Sequence, residues 1–165
     1  MVRCRSKNGF VLIVTCIVLA ILLGFAGLGI DIGRMYVIQS ELQAFSDAAA
    51  LNAALHLDGP GGGIERARLA ASEFASGPHA MKWDLGSQPI TDIKASFAKG
   101  DATPDPRTWQ SEPRDSSGLH FVRVVVSVPA PLIFLRALPA GKAGFSTVAV
   151  SSVAAKTPGG ARLIQ

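Results

Sequence analysis

A chain of 165 residues has room for one modest domain and an anchor, which excludes a large multidomain enzyme. Its residues are 48% hydrophobic and 17% charged, more apolar than an ordinary soluble domain, and the excess lies near the start. The net charge of +4 gives no nucleic-acid footprint: Arg3, Arg5 and Lys7 form one cluster, and without those three of the sixteen basic residues, thirteen face twelve acidic ones.

From Phe10 to Ile30 there are 21 consecutive uncharged residues. As a helix they cross about 30 Å of hydrocarbon, so residues 10–30 are predicted to span a membrane. The basic cluster before them, residues 1–9, carries no acidic residue and keeps the amino end cytoplasmic. Everything after Ile30 is then exported. The two cysteines, Cys4 and Cys16, are about 18 Å apart along such a helix and cannot pair with each other. The exported part has no cysteine and must fold without disulfides.

Residues 1–30 admit three readings: a cleaved secretory signal, a leader cut between Gly9 and Phe10 as in prepilins, and an uncleaved anchor. "SKNGFVLIV" is similar to a prepilin junction, although Val14 stands where pilins usually carry glutamate. The next stretch favours the anchor. Met35, Ile38, Leu42, Phe45, Ala49 and Asn52 follow a three-four spacing, with Ala48, Leu51 and Leu55 beside them. No proline intervenes before Pro60. A single helix of residues 10–57, roughly 70 Å long, is the expectation, with 31–57 continuing outside the bilayer.

Gly27-Leu28-Gly29-Ile30-Asp31-Ile32-Gly33-Arg34, then Leu42-Gln43-Ala44 and Asp47-Ala48-Ala49-Ala50-Leu51, resemble the amino-terminal segment of TadG-like proteins. These belong to the TadE/TadG group of tight-adherence (Tad/Flp) pilus assembly in bacteria. The resemblance covers about Gly9 to Leu55, with a weaker similarity around "PAPLIFLRAL". It implies a single-pass protein of the bacterial inner membrane, associated with the bilayer and with other Tad components or pilin-like subunits through its first helix. There are departures. Ser40-Glu41 stands where the family often has a basic residue, and Phe45-Ser46 replaces small residues. Asp115-Ser116-Ser117-Gly118-Leu119 lacks the last serine of the D-x-S-x-S metal motif of longer members. Metal-dependent adhesion is not carried over.

Several of these residues have a physical reading of their own. Asp31 and Arg34 fall three apart where the helix leaves the hydrocarbon, fitting either an interfacial depth anchor or a pairing that registers a neighbouring subunit. Ala20 and Gly24, and Gly29 and Gly33, have the four-residue spacing that lets membrane helices approach closely. The alanines from Ala48 to Ala54 suit packing beneath the chain's own sheet or against a partner's helix.

After a break at Asp58–Gly63, residues 64–155 are expected to form a small α+β domain. Ile64–Ser76 reads as a short helix, Thr91–Ala98 and Leu119–Val128 as strands, Gly100–Gly118 as an exposed loop, and Phe145–Ala155 as a last strand. In Leu119–Val128 the even valines 122 to 128 share one face and Phe121 and Val125 the other. A helical turn is expected within Pro131–Leu138, and residues 156–165 read as a flexible tail. The fold class is thus α+β, a long amino-terminal helix with a small antiparallel sheet packed on its exported half, pilin-like in outline.

No site for chemistry emerges. His56, His79 and His120 are scattered, prolines separate the acidic residues of the long loop, and Trp83 is expected to cap the core. The reading is therefore no enzyme, no cofactor, no small-molecule substrate and no nucleic acid. The expected role is structural or assembly work in a Tad/Flp-type pilus system, or a minor pilin-like subunit. The alternative is a membrane-tethered or secreted binding module unrelated to pili.

Overall fold

The computed structural model describes residues 8–57, 62–76, 80–100, 104–115, 117–134 and 145–164. The basic start, Asp58–Gly61 of the expected break and Leu135–Leu138 of the expected turn lie outside them. The first element, α1, is one α-helix from Asn8 to Leu55. No proline interrupts it, and glycines alone, at about 1 kcal/mol each, do not break a helix that packing supports.

The chain divides into two compact units. The larger contains residues 35–130 and 147–165. In it α1 continues from Met35 to Leu55 and a second helix, α2, runs Gly63–Glu73. A hairpin pairs β1 (Lys82–Trp83) with β2 (Gln88–Pro89), and a four-stranded sheet has the order β3-β4-β5-β6. These strands are Asp92–Lys99, Leu119–Pro131, Phe145–Thr157 and Gly160–Ile164. β3 pairs antiparallel with β4, from Asp92 opposite Ser127 to Lys99 opposite Leu119. β5 pairs antiparallel with β6, from Val153 opposite Ile164 to Thr157 opposite Gly160.

The sheet is apolar on both faces. Val122, Val124, Val126 and Val128 join Ile38, Leu42, Phe45 and the alanines of α1 in the main core. On the other face Ala98, Phe121 and Ala155 form a small cluster, flanked by Trp109, Val153 and Ile164. The alternation seen in β4 thus separates two real surfaces. Ala49, Ala50, Ala53 and Ala54 are fully buried, so the alanine run packs inside its own domain. Alanine lets the helix backbone approach the larger valines of the same core closely, a small-against-large fit.

Two sequence expectations need correction. Residues 156–165 are not a loose tail through 164: the chain turns at Pro158-Gly159 and returns as β6. Ala161 and Leu163 pack on the main core and Ile164 on the opposite cluster, which is enough apolar contact to hold a short edge strand. β4 continues through Pro129 to Pro131, because proline's fixed φ is compatible with extended backbone. The β1–β2 hairpin was not foreseen. Its turn puts Asp84 and Leu85 at φ 58° and 56°, and the Glu41 carboxylate of α1 accepts the Leu85 N–H at 3.1 Å. Trp83 lies in the core, as expected, and its indole N–H donates to the Pro89 carbonyl.

Candidate membrane and assembly interface on the first helix

Residues 9–26 of α1 are exposed on every side, Ala20 and Gly24 included, and Leu12, Leu22 and Phe25 present more than half of their surfaces. Only 6% of the most apolar 18-residue window is buried within the protein. By length and composition this helix is able to cross a membrane. Gly9 and Phe10, the residues of the possible processing junction, are both helical and exposed.

A Cβ added at Gly24, Gly29 or Gly33 would meet nothing within 4 Å. These glycines leave shallow flats on the helix. Gly27 differs: a Cβ there would fall 2.6 Å from ring atoms of Phe134, so only glycine admits that ring. One turn later Asp31 is 2% exposed, and its carboxylate accepts the Ile133 N–H at 3.0 Å and the Phe134 N–H at 2.9 Å. A carboxylate out of water requires such donors, and charge-assisted bonds of this kind are the stronger sort. The chain itself therefore occupies the acid that the sequence suggested as an interfacial anchor or as a subunit register. Arg34 is half-buried.

The motif residues farther along serve the larger unit. Leu42 is fully buried. The Gln43 amide donates to Asp47 at 2.8 Å and to the Ser152 hydroxyl at 2.9 Å, and that hydroxyl in turn donates to Asp47. The spacing of Gln43 and Asp47 puts both on one helix face, where they grip β5. Ala48 and Leu51 are half-buried at the edge of the core, whereas Ala49 and Ala50 are inside it. Phe45 and Ser46, the unusual pair, are also fully buried: Phe45 fills the core, and the Ser46 hydroxyl donates to the Val124 carbonyl at 3.1 Å. Asn52 ties α1 to α2 by donating to the Ala70 carbonyl and to Glu73.

Sequence reasoning missed Ile133, Phe134 and Ser152 as partners of the motif, and Glu41 as the acceptor for the hairpin turn. The apolar run Leu132–Phe134 between prolines was a signal for the first pair; the other two carry none. Among the described residues, no group of three or more His, Cys, Asp or Glu could hold a metal ion. Near Trp109 the Arg123 guanidinium lies 4.7 Å from the ring centroid, and Gln110 exchanges backbone bonds with Phe97, so the polar loop is pinned to the sheet.

The fold and the first helix thus define an α+β protein with, among the described residues, one helix fit to cross a membrane. Residues 9–56, a little under a third of the chain, are similar to the family model described as putative Flp pilus-assembly TadE/G-like. No curated protein and no solved structure matches the chain significantly.

Proposed function

We propose that this protein is a single-span structural or assembly component of a Tad/Flp-type pilus system, or a minor pilin-like subunit of its fibre, and that it carries out no catalysis. The observation that carries this reading is the coincidence of the family match with α1. The matched residues run from the start of the apolar segment to the last alanines of the motif. In this reading the amino end is cytoplasmic and the larger unit is exported. The two open small-residue pairs, Ala20/Gly24 and, on the opposite side of the helix, Gly29/Gly33, meet the helices of other pilus components in the bilayer, where close backbone approach replaces the hydrophobic effect as the attraction. The alanine run is already used internally, which supports the membrane half as the assembly surface.

The test is to replace Gly24, Gly29 and Gly33 together by leucine in the native host and measure surface pili and membrane levels of the protein. The expected outcome is loss of pili while the protein still accumulates in the membrane. Normal piliation in that strain, and in one lacking the protein altogether, would refute the reading and leave a tethered binding module.

A further inference from the structure

We propose that the segment Leu132–Phe134 is a second membrane-contacting element, seated among lipid acyl chains beside α1. The inference rests on the reading of α1 as a membrane span, and adds to it.

The segment belongs to the same compact unit as the span. Phe134 lies against Gly27, which is three residues inside the uncharged run that ends at Ile30. At 1.5 Å per residue that is about 4.5 Å below the end of the run, within the hydrocarbon edge. Ile133 and Phe134 remain 53% and 45% exposed, so their outward surfaces continue the apolar surface of the span. Continuity with a lipid-facing helix selects lipid as the occupant.

The backbone at this depth is also prepared for lipid. Non-helical chain in a bilayer must satisfy its N–H groups internally. Pro131, just before the segment, has none, and two of the three N–H groups of Leu132–Phe134, those of Ile133 and Phe134, end on the buried Asp31 carboxylate. The arrangement is reciprocal. Asp31 could not sit at the membrane edge uncompensated, and the segment could not enter without an acceptor. Gly27 and Asp31 are four apart, on one helix face, and together form the seat: a flat for the ring and an acceptor for the backbone.

The full chain, with Cys4 and Cys16 changed to serine, would be reconstituted in phosphatidylethanolamine–phosphatidylglycerol vesicles. An environment-sensitive fluorophore would be attached through Ile133→Cys, Leu22→Cys or Glu112→Cys, and quenched by nitroxide-bearing lipids or by aqueous iodide. The expected result is strong lipid quenching at 22 and 133 with little from iodide, and the reverse at 112. Adding Asp31→Ala should shift position 133 toward iodide quenching and leave 22 unchanged. Lipid quenching at 22 but only iodide quenching at 133 overturns the proposal alone. Protection of 133 from both quenchers also overturns it, in favour of a protein neighbour. Absence of lipid quenching at 22 and 133 alike removes the membrane reading and the proposal with it.

Discussion

The two halves of α1 have the same backbone and opposite surroundings. Residues 9–26 expose large apolar side chains around the whole circumference, whereas Met35–Leu55 buries Ile38, Leu42, Phe45 and four alanines against the strands and leaves Tyr36, Gln39 and Ser40 outside. In the first half apolarity is uniform, because lipid surrounds a helix on all sides; in the second it is confined to a stripe, because a sheet covers only one. Glycine reflects the same division. Gly24, Gly29 and Gly33 keep flats open, whereas small residues in the second half, Ala49 and Ala53 among them, are already covered. The helix is thus long and apolar enough to cross a membrane at one end and packed into a domain at the other.

This contrast can be broken most forcefully with charge. Leu19→Arg with Leu22→Arg costs roughly 3 kcal/mol per arginine near the bilayer centre. The expected outcome is loss of the alkali-resistant membrane fraction, whereas Ala44→Arg, exposed in the second half, leaves that fraction intact. Equal extraction of both variants would contradict the division. Phe45→Ala should destabilise the domain by about 3–5 kcal/mol, measured by denaturant unfolding in detergent. Phe25→Ala, of the same chemistry but 70% exposed, should leave the unfolding midpoint in place.

Smaller effects sharpen the comparison. Asp47→Ala removes the acceptor shared by Gln43 and the buried Ser152 and should cost about 2 kcal/mol in the same unfolding measurement. A cost near zero would mean the motif acid acts outside its own domain. Gly24→Leu should alter domain stability by less than about 0.5 kcal/mol, since nothing lies within 4 Å of it. Any effect on piliation would then come from assembly.

Much of α1 was legible because helical periodicity is long and repeated: four of the six residues in the expected stripe, Ile38, Leu42, Phe45 and Ala49, are buried, and Met35 and Asn52 are half-buried. The second stripe, Ala48, Leu51 and Leu55, was a poorer guide. Leu55 is exposed, whereas Ser46, Ala50 and Ala53 are buried, since the real core favours small residues that hydropathy undervalues. β3 and β4 were legible from alternation; β6 was not, because five residues after Pro158-Gly159 give too short a pattern, and tertiary contacts decide. The candidate site was half readable. Asp31 stood out as an acid at the end of an apolar run, but its partners lie about a hundred residues away, and single-sequence patterns carry no information about such pairings.

The measurement that tests the two-solvent helix most directly is the intact mass of the protein extracted from native membranes. The account requires the apolar half to be retained, giving the full-length mass or one lacking only residues 1–9. A mass starting near Ala26 or beyond would contradict it, because the first half would then be a discarded signal and α1 would begin where the sheet covers it.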